Sequence, residues 1–186
     1  MESDIINYRK STTLASGLHV TVRLLTSADH DGLLAMFACA TRDDLQYFRD
    51  DVTNRELVSS WTEHVDVHRV IPLMAEVGGR LAGQCTLHRG RGYNRHVAEV
   101  RIFVCREFRG RGVGTALIQG IIDVAKLIGL HHIFTLGVSS KPQDIRAFES
   151  LGFRTEGMLR DRFMDAEGDT YDMIEMALHL KREAGL

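Results

Sequence analysis

The segment 106–115, REFRGRGVGT, holds the residues with the clearest potential for ligand binding. Its glycines, Gly110, Gly112 and Gly114, permit positive φ angles and let the main chain approach a ligand closely. If a helix begins there, its first N–H groups are free and the positive end of its dipole points to the same place. This combination binds phosphate, so the spacing predicts a phosphate-binding turn between a strand and a helix.

Two common phosphate-binding patterns do not match this turn. The P-loop pattern ends in Gly-Lys-Ser or Gly-Lys-Thr, and neither tripeptide occurs in the sequence. In the dinucleotide fingerprint Gly-x-Gly-x-x-Gly, the third glycine comes one residue later than Gly114. The turn also follows a hairpin in mid-chain, which does not suit a dinucleotide fold. A tight packing turn without a ligand is the remaining alternative.

Hydrophobic periodicity identifies the elements that must position the turn. Residues 97–105 alternate as in a strand, and residues 112–128 repeat apolar side chains with the helical period of 3.6. The other predicted strands are 19–25, 71–77, 80–87, 133–138, 153–163 and 170–180, and the other predicted helices are 26–40, 54–64 and one from Ser140 to Gly152. This order predicts an α/β fold with a mixed, mostly antiparallel sheet, a central parallel β-α-β unit and helices on both faces.

The bulk properties predict one globular domain. The chain has 186 residues, of which 44% are hydrophobic, and its net charge is −2. We expect the domain at 18–180, after a loose lead-in at 1–17 and before a tail at 181–186. The small net charge does not indicate a nucleic-acid or membrane partner, and no apolar run reaches the roughly 18 residues of a membrane span. Whether the chain forms a homodimer stays open.

Three cysteines, Cys39, Cys85 and Cys105, lie within apolar stretches. An odd and sparse set of this kind is typical of buried free thiols in a reducing compartment. The first ten residues are polar and lack the apolar core of a secretory signal. These features together predict a cytoplasmic location.

The phosphate turn and its context resemble the GNAT N-acetyltransferase superfamily. Segment 109–114 resembles the acyl-CoA signature Gln/Arg-x-x-Gly-x-Gly/Ala, and segment 98–104 looks like the family's fourth strand. Segment 145–153, which ends in Leu-Gly-Phe, looks like its fourth helix and following strand. Segments 156–161 and 168–176 are similar to the branch that includes phosphinothricin, polyamine and ribosomal-protein acetyltransferases. The resemblance covers about residues 18–180.

The resemblance implies an N-acetyltransferase that moves an acetyl group from acetyl-CoA to a primary amine by direct attack, without a metal. It implies that the main-chain N–H groups of 110–115 bind the pyrophosphate. It also implies that the backbone of 102–104 pairs with the pantetheine where the fourth and fifth strands splay apart. The implied cofactor-binding residues are Ile102, Phe103, Val104, Arg109, Gly110, Arg111, Gly112, Val113, Gly114, Thr115, Lys141 and Phe148.

The resemblance also implies catalytic roles. Glu99 stands where several family members carry a glutamate that removes the proton of the attacking ammonium. The N–H of Val104 would polarise the thioester carbonyl. Many members carry a tyrosine acid at the position of Phe148, so the thiolate here leaves unassisted or takes a proton from water or Tyr171. The alternative for Glu99 is a sheet charge paired with Arg101 or His96.

Several other features have competing interpretations. His64 and His68 have metal-ligand spacing, but no third ligand of suitable spacing accompanies them. Seven arginines between 89 and 111 leave a nucleic-acid patch as an alternative, although cofactor phosphates explain the later ones. A non-catalytic acyl-CoA sensor is a further alternative. Five acids at 42–56 either attract a cationic acceptor or form a solvated face: Asp43, Asp44, Asp50, Asp51 and Glu56.

Overall fold

The computed structural model describes residues 2–180. Its strands are β1 Arg9–Thr13, β2 His19–Leu24, β3 Val70–Val77, β4 Arg80–Arg89, β5 Val97–Val104, β6 His132–Val138, β7 Arg154–Met164 and β8 Thr170–His179. Its α-helices are α1 Glu2–Ile6, α2 His30–Ala38, α3 Arg42–Leu45, α4 Arg55–Glu63, α5 Val113–Leu127 and α6 Pro142–Ser150. Short 3₁₀ turns lie at Ser27–Asp29, Gly92–Asn94 and Arg106–Phe108.

All eight strands form one sheet in the order β1-β2-β3-β4-β5-β6-β8-β7. Every neighbouring pair is antiparallel except β5 and β6, which are parallel and are connected through α5. The predicted mixed sheet with a central parallel β-α-β unit is therefore confirmed. Its crossover is the helix that follows the phosphate turn.

The helices cover both faces of the sheet, as predicted. Helix α5 packs against β2, β3, β4 and β5, and it approaches so closely that a Cβ at Gly120 would lie 2.9 Å from Val22 Cγ1. On the other face α2 packs against β4 and α4, and Phe37 stacks on Phe103 of β5 with 6.0 Å between ring centroids. Side chains of β5 therefore alternate between an α5 face and an α2–α4 face.

The sheet begins earlier than the sequence indicates. Segment 1–17, expected to be a loose lead-in, contains β1, which pairs with β2 from Arg9↔Arg23 to Thr13↔His19. All five β1 residues are exposed, so the strand lacks the apolar alternation by which strands are recognised. Segment 1–17 is therefore not a loose lead-in, whereas the domain bounds 18–180 stay a prediction and the expected tail at 181–186 lies outside the described residues.

The expectation of three free thiols is wrong for two of them. Cys39, directly after α2, and Cys105, directly after β5, are joined in a disulfide with their Cα atoms 6.0 Å apart. They are 66 residues apart in sequence, so only the packing of α2 against the sheet brings them together. Cys85 is free and buried, and burial raises the pKa of its thiol. The argument from free thiols to a reducing compartment therefore loses most of its support.

Between residues 2 and 180, none of the helices is long and apolar enough to cross a membrane.

Candidate functional site

A cleft opens where β5 and β6 diverge. The parallel ladder joins only Val97 to His132, Ala98 to Ile133 and Glu99 to Phe134, although β5 continues to Val104 and β6 to Val138. The cleft has a volume of about 1200 Å³ and extends from the phosphate turn to the α2–α4 face of the sheet. Because neither strand is paired with the other beyond Glu99, an edge of β5 is open to a ligand.

The alternation of hydrogen bonds along β5 shows which main-chain groups face this cleft. Cys105 N–H donates to Ala82 O of β4, whereas His96 O accepts from the N–H of His131, the residue before β6. Successive residues of a strand direct their main-chain groups to opposite edges. The even-numbered residues of β5 therefore point toward β6, and beyond Glu99 these include Ile102 and Val104.

The predicted phosphate turn has the conformation that its glycines allow. Gly110 and Gly112 have φ values of 68° and 91°, in the left-handed region that favours glycine. Gly112 is the N-cap of the 15-residue helix α5, so the first-turn N–H groups of Val113, Gly114 and Thr115 have no partner within the helix. Three of the turn's glycines and Thr115 line the cleft. The turn is thus built to accept an anion at the outer end of β5.

Arg109 and the loop before β2 hold the turn in place. Arg109 Nε donates to Val104 O at 2.8 Å, and its Nη2 donates to Asp44 Oδ1 at 2.8 Å. On the other side Ser16 Oγ donates to Arg111 O at 2.7 Å. Arg109 therefore joins the turn to α3, in addition to lining the cleft where the sequence placed a cofactor contact.

Glu99 lies on the α2–α4 face of the cleft with both carboxylate oxygens engaged. Oε1 accepts from Arg49 Nη2 at 2.6 Å and Oε2 from Arg101 Nη2 at 3.0 Å, and the side chain is only 14% exposed. The pairing with Arg101 that the sequence offered as an alternative is present, whereas His96 instead packs edge-on against His131. Glu99 is both a cleft residue and an ion-paired one.

His88 is a cleft residue that the sequence did not reveal. It lies opposite Glu99 in the β4–β5 register, and its Nε2 is 2.9 Å from Thr86 Oγ1. Burial and the positive charges of Arg101 and Arg49 lower its pKa to about 4, against the opposing effect of Glu99. The imidazole is therefore neutral at pH 7. No sequence signal identified it, because the register across the loop between β4 and β5 was unknown.

The structure places Phe148, at the position of the family's tyrosine acid, apart from Tyr171, the alternative acid. Phe148 is buried, lines the cleft and packs edge-on against Phe153, with 5.1 Å between their ring centroids. Tyr171 lies at the far end of the β7–β8 hairpin, opposite Phe163, and it is not among the residues that line the cleft. A hydrogen bond to Asp165 raises its pKa, which makes it a weaker acid. The structure thus does not bring the alternative acid Tyr171 to the cleft.

Helix α6 begins one residue later than predicted. Its first residues matter because Lys141 is one of the predicted cofactor-binding residues. Lys141, rather than Ser140, is the N-cap residue, with Pro142 as the first helical residue. Its Nζ lies 3.7 Å from the ring centroid of Tyr47, which itself stacks on Phe163 at 5.0 Å. Lys141 and Tyr47 therefore meet across the cleft, and Tyr47 is a further cleft residue that the sequence did not indicate.

The acids at 42–56 do not form a free acidic surface in the cleft. Only Asp44 and Asp50 line it, and Asp44 already accepts hydrogen bonds from Thr41 and Arg109. Besides Arg109, three arginines line the same cleft: Arg49, Arg69 and Arg101. The hypothesis that these acids attract a cationic acceptor therefore receives no support from the geometry.

The histidine pair at 64 and 68 does not form a metal site in the part of the chain that the structure describes. Within residues 2–180 no three or more His, Cys, Asp or Glu side chains are arranged to hold a metal ion. His64 lines the cleft, and the N–H of His68 donates to Asp66 Oδ1 at 3.0 Å.

Comparison with known proteins connects this cleft to a family. Residues 34–153 match the sequence model of the Acetyltransferase (GNAT) family. The chain is 23% identical over 137 residues to the L-amino acid N-acyltransferase MnaT of Escherichia coli K12, covering 72% of this chain and 79% of that protein.

Two solved structures match the fold. The GNAT domain of S. lividans PAT has a TM-score of 0.76 at 22% identity, covering 92% of this chain and 97% of that one. The structure of yncA from Salmonella typhimurium with its cofactor acetyl-CoA has a TM-score of 0.74 at 21% identity, covering 90% and 97%.

The family match decides among the functional classes. It extends over more than half of the chain and includes β5, the phosphate turn, α5 and β6. Neither the non-catalytic sensor nor the nucleic-acid binder is favoured by this match. The chain therefore belongs to the acetyltransferase (GNAT) family, and it is an N-acetyltransferase that uses acetyl-CoA.

Proposed function

We propose that acetyl-CoA binds in the divergence between β5 and β6, and that the acceptor amine reaches the thioester from the α2–α4 face. The observation that carries this proposal is the end of the β5–β6 ladder at Glu99 and Phe134. Beyond it, Ile102 and Val104 direct main-chain groups toward an edge without a strand neighbour. The phosphate turn lies at the outer end of the same strand.

In this arrangement each part of the cleft contacts a different part of acetyl-CoA. The N–H groups of 110–115 bind the pyrophosphate, where the dipole of α5 adds to the attraction. The main chain of 102–104 pairs with the pantetheine as an added strand would. Phe148 and Lys141 flank the cofactor arm from α6, and both line the cleft.

Acetyl transfer then needs a base on the α2–α4 face, because the acceptor amine approaches from that side. An alkyl ammonium has no lone pair, so it must lose a proton before its nitrogen attacks the thioester carbonyl. Glu99 accepts that proton, the new C–N bond forms, the nitrogen gives its second surplus proton to solvent, and the C–S bond breaks to release coenzyme A as a thiolate. The N–H of Val104 stabilises the developing oxyanion. The side chain of Phe148 has no acidic proton and Tyr171 lies outside the cleft, so solvent protonates the thiolate.

The phosphate turn can be tested with two glycine variants that place a side chain at a similarly positive φ. Gly112→Asp places a carboxylate where the pyrophosphate binds, and we expect it to abolish acetyl-CoA binding measured by calorimetry. Gly129→Asp is the matched control, because Gly129 follows the other end of α5 with φ 74°, close to the 91° of Gly112. An affinity of Gly112→Asp within threefold of wild type would contradict the cofactor assignment.

We also propose that the protein is cytoplasmic and that it forms a homodimer. Met158 and Met164 on the edge strand β7 are 57% and 62% exposed, and a second copy of the chain would cover such side chains. Light scattering coupled to size-exclusion chromatography tests the dimer, and cell fractionation tests the location.

A further inference from the structure

An ion pair closes the acceptor side of the cleft next to the proposed base. Arg49, in the segment 46–54 between α3 and α4, reaches across to Glu99 with an Nη2–Oε1 distance of 2.6 Å. The Glu99 side chain is 14% exposed, whereas the Arg49 side chain is 51% exposed. An acceptor ammonium that gives its proton to Glu99 therefore meets a carboxylate that is already paired with the half-exposed guanidinium of Arg49.

Within residues 2–180, the two guanidinium groups beside Glu99 use few of their hydrogen-bond donors. A guanidinium has five N–H donors, and the side chains of Arg49 and Arg101 each make one hydrogen bond to Glu99. Arg101 Nε is buried and has no hydrogen-bond partner among the described residues. An unpaired buried donor costs free energy, and planar guanidinium forks match a carboxylate in geometry. The residues around the base are therefore suited to bind an anion as well as a cation.

Charge balance distinguishes between acceptor classes at such a site. A polyamine brings only positive charge, so it would compete with Arg49 for Glu99 and leave Arg49 and Arg101 facing another cation. A zwitterion replaces both halves of the pair, because its ammonium takes the place of Arg49 on Glu99 while its carboxylate takes the place of Glu99 on Arg49. No buried charge is then left uncompensated, which is the arrangement that limits the desolvation cost.

We infer that the acceptor is a free amino acid, whose ammonium binds Glu99 and whose carboxylate binds the guanidinium groups of Arg49 and Arg101. This inference rests on the proposed function, since it assigns the acceptor to the face on which Glu99 lies. The cleft is also lined by the apolar side chains of Phe48, Trp61 and Val65, which suit an apolar amino-acid side chain.

A pair of acceptors that differ only in the carboxylate tests the inference on the wild-type enzyme. L-Leucine and L-leucinamide share the amine and the side chain, and leucinamide also represents the N-terminus of a peptide. Acetyl-CoA consumption is followed by thiol release over a pH range, and kcat/KM is expressed per concentration of the ammonium form, because that is the form that binds Glu99. We expect leucine to exceed both leucinamide and spermidine by at least about tenfold.

Arg49→Met then tests the residue assignment, because methionine keeps the length of the aliphatic stem without the charge. We expect a rise in KM for leucine of about tenfold or more and a change for leucinamide of less than about threefold. Arg80→Met is the matched control: Arg80 forms an exposed ion pair with Glu107 at 2.7 Å and does not line the cleft. It should leave both KM values unchanged.

Each other outcome overturns a definite statement. Equal use of leucine and leucinamide, preference for spermidine, or equal loss with both substrates in Arg49→Met would contradict the amino-acid inference and leave the proposed function intact. Failure to acetylate any member of a wider amine panel would contradict the proposed function itself. If Arg49→Met does not fold, the comparison of leucine with leucinamide on the wild type still decides.

Discussion

Glu99 is a carboxylate held between two guanidinium groups, at 2.6 Å from Arg49 and 3.0 Å from Arg101. If it removes the amine proton, Glu99→Gln should lower kcat at pH 7 by at least roughly tenfold. Raising the pH should restore part of the rate, because amines with a pKa near 10 are almost wholly charged at pH 7. Acetyl-CoA affinity should barely change, since the phosphate turn is untouched.

The control for this variant is Glu107→Gln. Glu107 is also an arginine-paired glutamate, but it is 52% exposed and does not line the cleft, so its loss should leave kcat as it is. A wild-type kcat for Glu99→Gln at pH 7 would show that Glu99 is only a charge on the sheet and that another group removes the proton.

The second residue-scale prediction concerns His88, whose pKa the buried cleft lowers to about 4. The unfolded chain protonates this imidazole near pH 6.5, whereas the folded chain keeps it neutral until about pH 4. The free energy of unfolding should therefore decline as the pH falls from about 6.5 toward 4, because the unfolded chain binds a proton there that the folded chain does not.

Urea unfolding at several pH values measures this effect. In His88→Gln the decline of the free energy of unfolding between pH 6.5 and pH 4 should be shallower than in the wild type. NMR titration of the His88 ring gives an independent reading. An imidazole that titrates near pH 6.5 in the folded protein would contradict the lowered pKa.

At the scale of elements, the entry to α2 depends on one buried carboxylate. Asp29 bonds Arg23 through both oxygens at 2.7 Å, and its Oδ2 accepts from the Thr26 N–H at 2.8 Å. Burial opposes its ionisation, but these hydrogen bonds outweigh burial and hold the pKa below its usual value. Its contribution to stability is thus present at neutral pH and lost as the pH falls through that lowered pKa.

Asp29→Asn should lower the free energy of unfolding by about 1–3 kcal/mol at pH 7, measured by urea denaturation. The difference from wild type should shrink in acid, where the wild-type carboxyl is protonated as well. Asp31→Asn is the control, because the Asp31 side chain is fully exposed in the first turn of the same helix. A loss of stability as large in the control as in Asp29→Asn would refute a special role for the buried carboxylate.

For the molecule as a whole, the N-terminal segment is part of the fold rather than a lead-in. Strand β1 completes one edge of the sheet, Ile5 is buried, and Lys10 Nζ pairs with Asp123 Oδ2 of α5 at 2.8 Å. Leu14 and Ser16 pack directly against the phosphate turn, where a Cβ on Gly112 would lie 3.4 Å from Leu14 Cδ1.

Deletion of residues 2–17 should therefore lower the melting temperature by at least about 5 °C and weaken acetyl-CoA binding. Calorimetry measures both quantities on the same samples. Tyr8→Phe serves as a mild comparison, since it removes only the hydrogen bond from Tyr8 Oη to Asp123 at 3.2 Å. A truncated chain with wild-type stability and affinity would restore the interpretation of the segment as a dispensable lead-in.

Local spacing was sufficient for the features that lie close together in the chain. The strand, the phosphate turn and the helix over 97–128 follow from the strand alternation, the helical period and three glycines. The structure reproduces them as β5, the turn and α5. The position of Glu99 on β5 follows from the same alternation. These predictions succeed because hydrophobic period and glycine conformation act within a few residues.

Only the tertiary structure decided which distant residues meet these elements. Arg49 bonds Glu99 across 50 residues, and Cys39 bonds Cys105 across 66. The loop between β4 and β5 hid the register that sets His88 opposite Glu99, and the exposed residues of β1 gave no apolar pattern. The composition of the acceptor side therefore depends on how α2, α3 and the segment 46–54 pack over the sheet, and such packing leaves no periodic signal in the sequence.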